Sequence, residues 1–278
     1  MTRGCQSRYR AHMPALAEVR AKASALLANG DVLPALQLYD AIVRSAPLDF
    51  EARMKVGDCL AALGAKEQAV AVYRAVAFYC IKAGHPLSAV VAARVVSESL
   101  GGEAADILAS LVAYYGSESE LTGDFAARLR IPAGDTDIDV TPLPGDAIAE
   151  STQRAVAATD SFAGFPEVLH PVPLLSELSE EAFKRVLATL VVRRLPSGAP
   201  VIKEGEPGQS FFFLAGGGVR VFDTDSMGAT RELAKLGPGA IFGEMALLSA
   251  KPRSASVSAT SETDLLEATR ESLAALAD

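Results

Sequence analysis

The apolar residues of this chain change period partway along it. From residue 14 to about 116 they recur every three or four positions, and from Val191 onward they alternate within short runs. One segment cannot serve both periods, so the sequence describes two differently built parts. In the first part, Leu16, Val19, Ala23, Leu26 and Leu27 mark an opening helix. Further helices are expected over 33–45, 51–63, 67–82, 87–100 and 103–115. Gly30, Pro47, Gly64, Gly84-His85-Pro86 and Gly101-Gly102 break them. In the second part, strands are expected over 191–195, 200–203, 210–214, 219–222, 232–236, 254–259 and 265–268, with Gly-rich turns between them. Many short strands divided this way suggest a jelly-roll barrel. The fold class is therefore multidomain α + β, with helical hairpins over 14–116 and a β jelly-roll barrel with short flanking helices over 161–278.

Residues 117–160 belong to neither part. Pro132, Pro142, Pro144, Gly134 and Gly145 interrupt an acidic stretch, which has the composition of a linker. Asp135-x-Asp137-x-Asp139 is similar to the opening of a calcium loop, but the glycine and distant glutamate of such a loop are missing. Ile138 and Val140 alternate with the acids and suit a short docking strand. A short helix is expected over 147–159. Ser179 reads as the N-cap of an entry helix with Glu181 in its first turn.

The helical breaks repeat. Gly30 and Gly64 lie 34 residues apart, and Ala35-Leu-Gln-Leu-Tyr39 aligns with Ala69-Val-Ala-Val-Tyr73 at the same offset. This spacing resembles tetratricopeptide repeats, in which stacked helix pairs share one core. Gly84 comes too early for a third repeat, so an irregular capping pair is expected after two repeats. The resemblance implies a concave groove for a protein partner, with Asn29, Lys55, Lys66 and Arg74 as candidate lining residues. The alternative is a helical spacer that packs on the barrel or joins two chains as a homodimer.

The most specific chemistry lies at 242–257. A strand ends at Ile241-Phe242, Gly243 turns without a Cβ, and Glu244 to Leu248 is long enough for one helical turn, whose free N–H groups suit an anion. Nine residues after Glu244 stands Arg253, a planar fork matched to phosphate, followed by the small Ser254 and Ala255. A glutamate beside an arginine suits a ligand with both hydroxyls and an anion, as in a sugar phosphate.

Phe242-Gly-Glu-Met-Ala-Leu-Leu248 and Pro252-Arg-Ser-Ala255 resemble the phosphate-binding cassette of the cyclic nucleotide-binding domain family. That family includes bacterial cAMP receptor proteins and protein kinase regulatory subunits. The resemblance implies that Glu244 binds the ribose 2′-hydroxyl and Arg253 the cyclic phosphate. Gly243 would shape the turn, and backbone N–H groups near Met245, Ala246 and Ala255 and the Ser254 hydroxyl would complete the phosphate site. Val221 and Leu233 would line the base and sugar pocket. The serine after Arg253 favours cAMP over cGMP as the ligand. The family usually continues past its last strand into two helices that close over the base. Here only 271–277 follows, so either the full protein is longer, or the lid comes from another subunit or the N-terminal helices, or the base stays exposed.

Other chemistries find no residues. His12, His85 and His170 all fall outside the expected strands, which argues against a metal-dependent barrel enzyme. No Walker loop, nucleophile elbow or kinase catalytic loop occurs. No catalytic residue and no metal ligand is expected, so the chain reads as a non-enzyme. The net charge of −8 argues against general nucleic-acid binding. No helix-turn-helix follows the barrel, and no inhibitory Arg-Arg-x-Ser/Ala segment lies in the linker. Without an apolar run of spanning length or a secretory signal, no membrane association is expected. The three cysteines, Cys5, Cys59 and Cys80, show no paired spacing and suit a reducing, cytoplasmic setting. Two readings follow: a signalling adaptor whose barrel senses a cyclic nucleotide while its repeats hold a protein, or a constitutive scaffold whose barrel has lost its ligand. A subunit of a larger transcription or transport complex is a third.

Overall fold

The computed structural model describes residues 13–142, 144–159, 161, 164–225, 228–245 and 251–270. Two compact units emerge, one of residues 1–79 with 130–164 and the other of residues 80–129 with 165–278. Each is described by itself.

The first unit is helical. It contains α1 (Leu16–Ala28), α2 (Val32–Ser45), α3 (Phe50–Ala62), most of α4 (Lys66–Ala83) and α7 (Ala147–Val156). α1 and α3 start 34 residues apart, as do α2 and α4. The helix breaks fall where the sequence put them, with Gly30 and Gly64 at φ 86° and 79°. Tyr39 and Tyr73 hold the same repeat position, and both are buried. Tyr73 packs so closely on α3 that a Cβ on Gly57 would stand 2.8 Å from its ring. The equivalent first-repeat position is Ala23, also fully buried. Small residues here let neighbouring helices approach. Asp49 caps α3 by accepting from the Ala52 N–H at 2.9 Å and meets Arg20 at 2.5 Å.

Part of the expected linker belongs to this unit. Ile138 is fully buried, and its N–H donates to the Pro14 carbonyl at 2.9 Å beside an antiparallel bridge between Ala15 and Asp137. The short docking segment suggested by Ile138 is therefore present. Arg44 donates to the carbonyls of Asp139 and Thr141 at 3.2 and 2.9 Å. α7 packs on α2 and α3, and its Arg154 donates to buried Asp40 at 2.6 Å. The domain boundaries expected at 116 and 160 thus differ from those of the compact units. Composition marked the segment as acidic and turn-rich but carried no sign of the carbonyls that Arg44 binds.

The second unit combines helices with a barrel. α5 (Pro86–Arg94) runs into a π-helical turn (Val95–Ser99), followed by α6 (Ala105–Tyr115) and β1 (Thr122–Ala127). α8 (Glu180–Thr189) starts at Ser179, whose hydroxyl accepts from the Ala182 N–H at 3.3 Å. The strands are β2 (Val191–Leu195), β3 (Pro200–Ile202), β4 (Ser210–Gly216), β5 (Val219–Thr224), β6 (Thr230–Leu236), β7 (Ile241–Phe242), β8 (Ser256–Ala259) and β9 (Thr263–Thr269). They form two four-stranded antiparallel sheets, ordered β2-β9-β4-β7 and β3-β8-β5-β6. Ile202, Phe212, Leu214, Val219, Phe242, Val257 and Leu265 form the core between them.

α5 packs on β4 and β9, and α6 on α8. The reason is visible in α5, where every residue from Leu87 to Ala93 is buried. A helix apolar on all sides needs cover on more than one face. β4 mirrors this, with Phe211 to Ala215 all buried. Phe212 and Leu214 enter the core, the rings of Phe211 and Phe213 pack together 5.2 Å apart, and the Ser88 hydroxyl donates to the Ala215 carbonyl at 3.1 Å.

Candidate functional site

The cassette is built on the end of β7. Phe242 pairs with Phe212 of β4, and their rings stack 5.3 Å apart. That stack fixes where the chain leaves the sheet. Gly243 follows at φ 85°, where a Cβ would stand 2.8 Å from Arg253 Nη1 and 3.1 Å from Ile202 Cδ1. Both the left-handed backbone and the close guanidinium require glycine. Glu244 and Met245 begin a helical turn, Glu244 half-buried and Met245 exposed. Ala246 lies outside the described residues.

Arg253 is the buried charge of the site, 9% exposed. Its backbone is clamped to the turn after β3, with its N–H donating to the Glu206 carbonyl and its carbonyl accepting from Gly205, both at 2.9 Å. Its Nη1 donates to the Gly243 carbonyl at 2.6 Å and its Nη2 to Ser210 Oγ at 3.4 Å. Burial lowers the guanidinium pKa, while the carboxylates of Glu267 and Glu244 oppose that shift. Among the described residues neither carboxylate forms an ion pair with it; Glu267 pairs with Arg193 at 2.9 Å. An internal Glu244–Arg253 ion pair, the arrangement of a barrel closed on itself, is therefore not what this site contains.

Ser254 is exposed and Ala255 half-buried, and both lie in a bend rather than in the strand expected from 254. β8 begins only at Ser256, whose hydroxyl accepts from the Glu204 N–H at 3.0 Å. The clamp between Arg253 and residues 205–206 takes the backbone groups that a ladder would use, so the cassette end stays outside the sheet.

Val221 lies on β5 opposite Val257 and packs against the barrel core. Leu233 lies on β6 where the register shifts between Val221 and Phe222, and it is 48% exposed. The expected pair thus falls in two environments, one packed and one open. The extra residue of the bulge separates them.

Sequence reasoning missed Ser210 and Glu267. Ser210 reads only as the first residue of an aromatic strand. Glu267 had a usable signal, as a lone acid within Leu265-Leu-Glu-Ala268. Among the described residues no cluster of three or more His, Cys, Asp or Glu could hold a metal ion. Cys59 and Cys80 are buried, and burial pushes the Cys59 thiol up to about 12.

Comparison with known proteins bears directly on both units. Residues 192–278 match the family profile of the cyclic nucleotide-binding domain, and residues 20–83 match that of a tetratricopeptide repeat. A cyclic AMP receptor protein of Thermus thermophilus is 42% identical over 37% of this chain and 48% of its own length. A cyclic nucleotide-gated potassium channel of Mesorhizobium japonicum is 41% identical over 36% of this chain and 26% of its own. A cAMP-dependent protein kinase regulatory subunit of Colletotrichum orbiculare is 31% identical over 50% of this chain and 36% of its own. The chain spans less than half the length of these relatives. Residues 192–278 thus resemble a cyclic nucleotide-binding domain, and residues 20–83 a tetratricopeptide repeat.

Proposed function

We propose that this chain senses a cyclic nucleotide, with cAMP preferred over cGMP, and passes the signal through its repeat region to a protein partner. One observation carries the reading: Arg253 lies buried beneath the Gly243 carbonyl, at the head of the helical turn that starts with Glu244. A buried guanidinium with one short bond and one long bond keeps donors to offer a planar or tetrahedral anion. The cyclic phosphate takes that place, Glu244 accepts from the ribose 2′-hydroxyl, and Gly243, Met245, Ala246, Ser254 and Ala255 frame the phosphate. Val221 and Leu233 lie toward base and sugar. Phosphate binding competes with the Gly243 carbonyl for Arg253, so the cassette turn has two arrangements that the ligand favours differently, as any switch requires.

In this reading the protein is a cytoplasmic signalling adaptor without catalytic activity, cofactor or metal. It works beside neither membrane nor nucleic acid and can pair with a second copy of itself. Calorimetric titration with cAMP and with cGMP, on the wild-type chain and on Arg253→Ala, tests the proposal. Micromolar or tighter binding that the variant loses supports it, and the tighter nucleotide identifies the ligand. A folded wild-type chain that binds neither leaves the constitutive scaffold instead.

A further inference from the structure

The second unit contains a cleft of about 350 Å³ that shares no residue with the cassette. Its lining comes entirely from that unit: the turn into α5, residue 128, residues 170–173, the end of β4 and the turn before β7. The walls are apolar, chiefly Pro86, Leu87, Pro171, Val172 and Pro238. The charged member of the lining is Arg128.

Arg128 is held by its backbone. The Leu129 N–H donates to the Ala83 carbonyl at 2.8 Å, and His85 Nε2 bonds the Leu129 carbonyl at 2.7 Å. Burial, with Arg128 adding to it, keeps the His85 pKa below its usual value, so the ring is neutral near pH 7 and Nε2–H is the donor. Gly84, at φ 85°, lies so close that a Cβ there would stand 2.6 Å from Arg128 Cβ. At the far end, Arg128 Nη1 comes within 3.9 Å of where a Cβ on Gly239 would stand. The side chain therefore crosses from one wall of the cleft to the other. Among the described residues its guanidinium makes no hydrogen bond and no ion pair.

We propose that this cleft binds a small organic carboxylate, its apolar body against the proline and valine wall and its carboxylate on Arg128. A single planar fork balances one planar monoanion, whereas a phosphate dianion needs further donors. At about 30 Å³ per water-sized unit the cleft takes about a dozen non-hydrogen atoms, the scale of a one-ring acid. Apolar walls with one oriented charge are the usual makeup of small-molecule sites.

The test uses the full chain and phenylacetate, with phenylacetamide as its neutral counterpart, followed by calorimetry and amide chemical shifts. Saturable phenylacetate binding is expected on the wild type and equally on Arg253→Ala. The amide and the Arg128→Gln variant should each weaken it about tenfold or more, and Arg128→Lys should recover part of the loss. Equal affinity for acid and amide, indifference to Arg128→Gln in a folded sample, or no binding at all overturns the proposal. Loss of phenylacetate binding in Arg253→Ala, or its displacement by cAMP, also overturns it, because the acid then occupies the nucleotide cassette.

Discussion

Arg53 and Arg253 are both buried arginines, 3% and 9% exposed, and they are spent in different ways. Arg53 Nε donates to the Pro47 carbonyl, and its Nη1 donates to those of Ala155 and Ala157, all at 2.9 Å. Two of these carbonyls lie at the end of α7, where helical carbonyls have no partner of their own. The guanidinium serves as a helix cap shared with the turn before α3. Arg253 has one short bond to a carbonyl and one long bond to a hydroxyl, with two glutamates near it and an exposed serine next in sequence. Burial alone therefore does not separate Arg53 from the arginine proposed to bind a ligand. The number of donors already committed to the protein's own backbone separates the two.

Four substitutions break or sharpen that contrast. Arg53→Ala removes the donor from three carbonyls, that of Ala155 buried and those of Pro47 and Ala157 partly so, and urea unfolding should show a loss of about 2 kcal/mol with nucleotide affinity unchanged. A variant that unfolds normally would mean that water replaces the guanidinium at no cost. Arg253→Lys keeps the charge and loses the fork. Cyclic nucleotide affinity should fall about thirtyfold, about 2 kcal/mol, with little change in the unfolding midpoint. Retained affinity would make Arg253 a point charge rather than an oriented donor. Gly243→Ala places a Cβ against Arg253 Nη1 at a left-handed φ. About 1 kcal/mol of stability and about tenfold in nucleotide affinity should be lost together. Gly30→Ala has a similar φ and nothing within 4 Å of its Cβ, so it should lose stability alone.

The smallest effect concerns His85. Its folded pKa lies below the usual 6.5, so the stability tied to the neutral ring is fully present above 6.5 and is lost as pH falls below it through the folded pKa. Thermal unfolding compared at pH 7.5 and 5.5 should show a decline in the wild type that His85→Gln reduces. An identical decline in both would assign it to carboxylates elsewhere.

Much of this was legible beforehand, for stated reasons. Gly30 and Gly64 announced the repeat because only a left-handed turn stops a helix that way, and Tyr39 and Tyr73 recur at the same offset inside the core. Gly243, Glu244 and Arg253 were legible because one short stretch carries the turn, the carboxylate and the fork. The partners of Arg253 were not. Ser210 comes from a strand 43 residues away and Glu267 from one 14 residues beyond, and no local pattern links them. The packing of α5 on β4 and β9 was not legible, because helical period is the same whatever the helix packs against. Leu233 was placed by strand register, which a single bulge shifts.

The sequence by itself determined the change from helices to strands, the 34-residue repeat and the cassette, because each rests on backbone geometry or chemistry within a few consecutive residues. Only the tertiary structure decided that α5 covers β4 and β9, that residues 130–157 fold back with α2 and α3, and that Arg253 holds the Gly243 carbonyl. Those outcomes depend on which distant surfaces and carbonyls remain unsatisfied once each element has formed. Burial and hydrogen bonding across the chain settle that, and no local period encodes it.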